Sequence, residues 1–206
     1  MRMRSSLPKQ FILVKEKPVL MHTLERFYHH NPKMELVLTL PEAWVSYWEE
    51  LVATQDFVIP HKTVVGGAER YDSIKNALSV CYGDIIAVHD GVRPLVNDVT
   101  LKQCFRNVLI SDGVIPVVPV NQSLRVKEGE STRAVPRSEY LLVQTPQCFR
   151  REVIEKAYEQ DYHPGITDDA TLVEEAGFAI QTVDGNVENI KITTQSDLRY
   201  AELFLK

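Results

Sequence analysis

Residues 84–94 read DIIAVHDGVRP, and this stretch decides the fold of the 206-residue chain. Its four consecutive apolar residues, 85–88, are typical of a short strand covered on both faces, as in parallel sheets. Asp90 follows the run, so we expect its carboxylate at the carboxyl end of that strand. In open α/β sheets, ligands bind beyond the carboxyl ends of the strands. The stretch therefore predicts a ligand site at this edge of the sheet.

Strand-like and helix-like segments alternate on both sides of this run. Strand-like runs occupy 35–40, 62–65, 113–120, 179–183 and 189–193, and helical spacing of apolar residues occupies 18–28, 43–53, 72–80, 99–110, 151–158, 168–176 and the segment from 194 onward. This order predicts an α/β fold, a mostly parallel twisted sheet with helices on both faces. We expect a single domain over 1–206, with the polar, aperiodic stretch 121–140 as an excursion from its core.

The composition excludes several classes of protein. Net charge is −5 with 25% charged residues, so a large nucleic-acid-binding surface is not expected. The three cysteines, Cys81, Cys104 and Cys148, show no metal-ligand spacing, which favours reduced thiols in a cytoplasmic protein. No apolar run approaches the about 18 residues that a membrane span requires.

Asp90 and Arg93 are the first candidates for chemistry. A carboxylate at a strand end can hold Mg²⁺, which bridges phosphate oxygens in nucleotidyl transfer. Arg93 can bind a phosphate bidentately or pair with Asp90. An Asp–Arg pair that merely stabilises a turn explains the same spacing, so both interpretations stay open.

The segment GGAERYDS (66–73) is the second candidate. Two glycines after a strand let the backbone approach a flat ligand closely, and Ser73 lies near the start of a helix, where anions are attracted. The alternative is a tight strand–helix turn whose acidic residue caps the helix.

Three further positions can contact phosphate. Lys9 follows a rigid proline, Lys191 lies in a strand-like apolar stretch, and Thr145 lies in a polar QTPQ segment. The alternatives are a solvated lysine, a lysine that keeps an edge strand soluble, and an ordinary turn.

Taken in order, these segments resemble the 2-C-methyl-D-erythritol 4-phosphate cytidylyltransferase family over essentially the whole chain. The matching motifs are PKQF (8–11), KPVLMHTLERF (17–27), GGAERYDS (66–73), VHDGVRP (88–94), QTPQCF (144–149), TDDA (167–170) and NIKITT (189–194). The resemblance implies a Rossmann-like nucleotidyltransferase fold. It also implies transfer of CMP from CTP to methylerythritol phosphate, with release of pyrophosphate, in non-mevalonate isoprenoid biosynthesis.

The resemblance also implies a role for individual residues. Arg2, Lys9 and Lys191 match catalytic cations at the phosphates. Gly67 and Ser73 match cytidine contacts, and Asp90 with Arg93 matches the CTP and Mg²⁺ region, Asp90 being the metal ligand. Ser123, Arg137 and Thr145 match the positions that bind the second substrate. In the family, 121–140 is an arm that reaches into the neighbouring subunit, which implies a homodimer with shared active sites.

The sequence departs from the family at two places. The family begins with a buried strand and a glycine-rich phosphate loop, of which Met1-Arg2-Met3 matches the last residues. We expect either a part of a longer chain or a truncated, inactive nucleotide-binding product. The first is favoured because removing a central strand exposes a long apolar edge. Gln122 also stands where the family carries an acid.

One sister activity remains open on the sequence alone. A ribitol-5-phosphate cytidylyltransferase would share the nucleotide motifs and differ around the second substrate, where Arg137 and Thr145 favour methylerythritol phosphate.

Overall fold

The computed structural model describes residues 7–205 of the chain, so Arg2 lies outside the described residues. The strands are β1 (Leu13–Val14), β2 (Lys17–Pro18), β3 (Val37–Leu40), β4 (Lys62–Val65), β5 (Ile85–Val88), β6 (Gly113–Pro119), β7 (Leu124–Glu128), β8 (Ser131–Val135), β9 (Leu141–Val143), β10 (Gln147–Arg150) and β11 (Ile180–Asp184). The α-helices are α1 (Val19–His30), α2 (Val45–Thr54), α3 (Arg70–Leu78), α4 (Asp98–Asn107), α5 (Arg151–Ala157), α6 (Asp169–Glu175) and α7 (Gln195–Phe204).

The main sheet is mixed, which corrects the expectation of a mostly parallel sheet. Its order is β11-β6-β10-β5, with β9 also paired to β6. Strand β11 is parallel to β6, whereas β10 is antiparallel to both β5 and β6, and β9 is antiparallel to β6. After β6, the chain passes through β7 and β8 and comes back as β9, which pairs with β6 without a helical crossover. A strand that returns directly in this way runs antiparallel.

Helices cover both faces of the main sheet, as predicted. On one face, Ile86 of β5 and Phe149 of β10 pack in a cluster with α5 and α6. On the other face, Ala87 and Cys148, the neighbours of these residues, pack with Cys104 of α4. Because successive strand residues point to opposite faces, one strand supplies both clusters. The sheet is therefore the central layer of an α/β structure.

A cleft of about 870 Å³ lies between β3 and β5. Within residues 7–205, β3 pairs with β4 in parallel and β5 pairs with β10, so each strand has one paired edge and one edge toward the cleft. Strand β5 is less buried among the described residues than its apolar run suggests. Ile86 is buried, while its neighbours in the strand are half-buried.

The stretch 121–140 forms an antiparallel hairpin of β7 and β8 in place of an irregular segment. Gly129 in the turn between them has φ +63°, a conformation that glycine adopts without strain. None of the residues 121–140 is buried. The hairpin therefore takes no part in the hydrophobic core of the described chain.

The segment 189–193 is not a strand, which corrects the prediction of a strand there. It is joined to the loop after β5 by the Ile192 N–H, which donates to the Val92 carbonyl at 3.0 Å. The helix start that follows is as predicted, because Thr194 and Asp197 form a reciprocal capping box at α7. Across residues 7–205, no helix is both long enough and apolar enough to cross a membrane.

Candidate active site

Asp90 is held between two cations just after β5. Arg93 Nε donates to its Oδ2 at 3.0 Å, and Lys191 Nζ donates to its Oδ1 at 3.1 Å. Burial opposes the charged form, but Lys191 and Arg93 outweigh it and lower the pKa of Asp90 to about 2. The carboxylate is therefore ionised at neutral pH, with one cation on each oxygen.

A buried asparagine fixes the segment that carries Lys191. Arg93 Nη1 donates to the Asn189 carbonyl at 2.7 Å, and Asn189 Nδ2 donates to the Thr145 carbonyl at 2.8 Å. Asn189 is fully buried, whereas the Lys191 side chain is 43% exposed. The backbone of this segment is thus tied to two others, and its ammonium group stays accessible.

The Thr145 hydroxyl is used internally. The His89 Nε2–H donates to the Arg93 carbonyl at 3.0 Å, which leaves Nδ1 as the acceptor for the Thr145 hydroxyl, also at 3.0 Å. The Asp90 N–H donates to Thr145 Oγ1 at 3.1 Å. Burial lowers the pKa of His89 to about 4, so the ring is neutral at neutral pH. Thr145 therefore orients the Asp90 backbone, and its hydroxyl proton is already donated to His89 Nδ1.

The 66–73 segment is a tight turn whose glycine is required by space. A Cβ at Gly67 would lie 2.1 Å from Asp72 Cβ, so no side chain fits there. The Gly67 N–H donates to Ser73 Oγ at 3.1 Å, and Glu69 with Asp72 forms a capping box at the start of α3. The capped-turn interpretation is thus confirmed, and residues 67–70 of the turn are exposed.

Three of the predicted residues, Lys9, Asp90 and Lys191, line the cleft, whereas within the described residues its lining does not include Gly67, Ser73, Arg93 or Thr145. Lys9 lies in a short 3₁₀ helix, Lys9–Phe11. Ser123 and Arg137 lie on the exposed 121–140 segment instead, where Arg137 Nη1 donates to the Asn121 carbonyl at 2.5 Å. Neither residue belongs to the lining of the cleft in the described part of the chain.

The fit to Mg²⁺ rests on Asp90. No group of three or more histidine, cysteine or acidic side chains suited to a metal occurs in residues 7–205. Magnesium commonly keeps several waters and takes one or two carboxylates plus substrate phosphates. The single carboxylate of Asp90 fits an ion that arrives with a nucleotide, and it does not fit a cation held by protein ligands alone.

His89 and Asn189 were missed as functional candidates from the sequence. Both lie inside the segments that were singled out, His89 before Asp90 and Asn189 two residues before Lys191. Their hydrogen bonds join three segments that are far apart in the chain, so spacing gave no signal. The signal in the sequence that could have identified them is that each is a polar residue beside an apolar run.

An α/β sheet with an ionised acid and two cations beyond a strand end is typical of proteins that bind phosphorylated ligands. The family model "IspD: 2-C-methyl-D-erythritol 4-phosphate cytidylyltransferase" matches residues 1–206. The chain belongs to this family.

Individual relatives agree with this assignment. The chain is 42% identical over 206 residues to the 2-C-methyl-D-erythritol 4-phosphate cytidylyltransferase of Bacteroides fragilis, covering 100% of this chain and 94% of the relative. It is 44% identical over 207 residues to that of Porphyromonas gingivalis, covering 100% and 92%. The crystal structure of the Thermus thermophilus enzyme matches with a TM-score of 0.80 at 30% identity, covering 95% of this chain and 92% of that one.

Proposed function

We propose that this chain transfers CMP from CTP to 2-C-methyl-D-erythritol 4-phosphate in non-mevalonate isoprenoid biosynthesis. The products are 4-diphosphocytidyl-2-C-methyl-D-erythritol and pyrophosphate. The observation that carries the proposal is the family match over residues 1–206, together with the cationic site at Asp90. A cytoplasmic location agrees with three free cysteines.

The proposed reaction is an in-line displacement. An oxygen of the 4-phosphate attacks the α-phosphorus of CTP, the new P–O bond forms, and the bond to pyrophosphate breaks on the opposite side. A phosphate is already a nucleophile at neutral pH, so no general base and no covalent enzyme intermediate are required. Catalysis then consists of positioning the two substrates and stabilising the negative charge of the transition state.

The cleft cations supply that charge stabilisation. Lys9 and Lys191 line one cleft, and Lys191 leaves Asp90 Oδ1 to contact the phosphates. Arg93 keeps Asp90 in place through Oδ2. Arg2 is proposed at the triphosphate on the basis of the family resemblance.

Asp90 would hold Mg²⁺ that enters with CTP. When bound, the ion neutralises phosphate charge. The protein's own part is to present one ionised oxygen, because the two neighbouring cations keep the carboxylate deprotonated.

The two substrates are assigned to different segments. The turn with Gly67 and Ser73 receives the cytidine, because the family resemblance assigns cytidine contacts to these two residues and residues 67–70 of the turn are exposed. Ser123 and Arg137 on the hairpin segment, together with Thr145, are assigned to the second substrate's phosphate on the basis of the family resemblance. Its internal hydrogen bonds favour a positioning role for this threonine over direct donation by its hydroxyl.

A homodimer with shared active sites is the proposed assembly. Ser123 and Arg137 lie outside the cleft of their own chain, so they can serve a neighbour's site. Strand β9 supports this arrangement, since Leu141, Leu142 and Val143 are 52%, 51% and 41% exposed. Three consecutive exposed apolar residues on a strand are typical of a surface that another chain covers.

Pyrophosphate release tests the proposed activity. The purified chain is mixed with CTP, Mg²⁺ and 2-C-methyl-D-erythritol 4-phosphate, and in parallel with ribitol 5-phosphate. We expect release with the first substrate. Release with ribitol 5-phosphate alone would assign the chain to the sister activity. Tight CTP binding without release from either mixture would make it a nucleotide-binding protein.

Leu142→Glu is expected to dissociate the dimer. A carboxylate buried at an apolar interface costs several kcal/mol, which corresponds to a dimer dissociation constant raised by about 100-fold or more. Sedimentation velocity over a range of concentrations measures this. Leu109→Glu is the matched control, because Leu109 is 63% exposed outside β9. A monomeric wild type, or equal dissociation in both variants, would contradict the assembly.

A further inference from the structure

A fully buried carboxylate lies behind the 66–73 turn, outside the cleft. The Asp169 side chain is 0% exposed, and Arg70 approaches it as a fork, with Nη1 donating to Oδ1 at 3.0 Å and Nη2 donating to Oδ2 at 2.5 Å. The Tyr158 hydroxyl also donates to Oδ1, at 2.7 Å. A buried charge is stable only when it is paired and hydrogen-bonded, so this arrangement depends on the fork.

The fork joins two helix starts that are distant in sequence. Arg70 is the first residue of α3 and lies three residues after Gly67 and three before Ser73. Asp169 is the first residue of α6. The next residue along, Tyr71, adds a second tie, because its hydroxyl donates to the Gln160 carbonyl at 2.5 Å and lies 3.1 Å from the Tyr158 carbonyl. Consecutive side chains thus fasten α3 to the α5–α6 region.

The turn itself has few other attachments to the rest of the fold. Its internal bonds, from the Gly67 N–H to Ser73 and within the capping box, fix its shape but not its position. One end is anchored where the Gly66 N–H donates to the Leu40 carbonyl at 2.8 Å. At the other end, the Arg70 fork and the buried Tyr71 together hold the start of α3, and the fork is the tie nearer to Gly67.

The start of α6 also supports the segment that contains Thr145. Gln147, which is 1% exposed, donates from Nε2 to Asp168 Oδ2 at 2.8 Å and accepts the Ala170 N–H at 2.9 Å. One short helix start therefore contacts both the turn and the chain that follows Thr145. It is a common support for the two segments that we assign to the two substrates.

We propose that Arg70 and Asp169 are positioning residues that hold the 66–73 turn in its nucleotide-binding position. The proposal rests on the proposed role of this turn in binding cytidine. A turn that moves among several positions is competent for only part of the time, and the apparent dissociation constant rises in inverse proportion to that fraction. The fork therefore acts on CTP affinity and not on the reacting phosphates.

Arg70→Lys is the informative substitution. Lysine keeps the charge that Asp169 requires but cannot form the planar two-point contact. We expect the dissociation constant and KM for CTP to rise about tenfold or more, while kcat at saturating CTP and the KM of the second substrate change by less than about threefold. Calorimetric titration with CTP and Mg²⁺, alongside steady-state kinetics, measures this split.

A control variant and a reference variant complete the test. Arg151→Lys is the control, since Arg151 also pairs with one acid, Glu155 at 2.7 Å, away from the turn. Ser73→Ala reports whether the turn binds nucleotide at all. Weakened CTP binding in Ser73→Ala with wild-type binding in a folded Arg70→Lys would overturn this inference alone. Wild-type CTP affinity in both would overturn the assignment of the turn as well.

Discussion

Lys191→Met lowers kcat by about 100- to 1,000-fold, the loss that follows removal of one preorganised charge from a transition state. Methionine is similar in length and removes the ammonium group that lies 3.1 Å from Asp90 Oδ1. Little stability is lost, because the Lys191 side chain is 43% exposed and an ion pair of this kind contributes about 0–1 kcal/mol. Pyrophosphate release and thermal unfolding, measured together, separate the two effects.

Lys102→Met is the control for this substitution. Lys102 is exposed on α4 and does not line the cleft. Its replacement is expected to leave kcat unchanged within about twofold, since exposed lysines distant from a site contribute little. A Lys191→Met enzyme that kept kcat within threefold of the wild type would remove this lysine from the reacting phosphates.

Asp90→Asn is the second substitution with a large expected effect, and it affects both activity and stability. The amide cannot balance the charges of Arg93 and Lys191, so we expect kcat to fall by at least about 100-fold. We also expect a rise in the Mg²⁺ concentration that gives half-maximal activity. Arg93 is 13% exposed and loses its charged partner, which lowers the free energy of unfolding by about 3 kcal/mol. Urea unfolding and kinetics over a range of Mg²⁺ concentrations measure the two losses.

The matched control lies at the opposite end of the same strand. Asp84 precedes β5 and is exposed, so Asp84→Asn is expected to change neither quantity appreciably. Full activity of Asp90→Asn at the wild-type Mg²⁺ requirement would contradict the assigned role of this carboxylate.

Much of the fold could be predicted from periodicity. The helices near 18–28, 99–110 and 194 onward were found because their apolar residues recur at helical spacing and packing follows that pattern. The strands β9 and β10 were missed because the QTPQ segment between them is polar and contains a proline, which reads as a turn. Their antiparallel direction depends on how the chain returns from the hairpin, which no local pattern encodes.

The site could be predicted in pieces but not as an assembly. A pair between Asp90 and Arg93 was one of two interpretations left open by the sequence, and the structure shows that pair. Lys191 was singled out as a strand lysine, and although the strand prediction was wrong, the residue lies against Asp90. The Arg70–Asp169 fork was not predictable, because 99 residues separate the partners and their contact depends on tertiary packing.

The doubly bound carboxylate of Asp90 makes ligand recognition a competition. The positive charge of Lys191 is already balanced, because the Asp90 carboxylate is its counterion. A ligand that binds Lys191 must displace the Asp90 carboxylate. The binding free energy that it gains from this lysine is therefore only the difference between the two electrostatic attractions. A phosphate dianion carries twice the charge of that carboxylate, so it competes for Lys191 better than a neutral alcohol or a monocarboxylate does. The ion pair between Lys191 and Asp90 therefore favours doubly charged phosphates over weakly charged ligands.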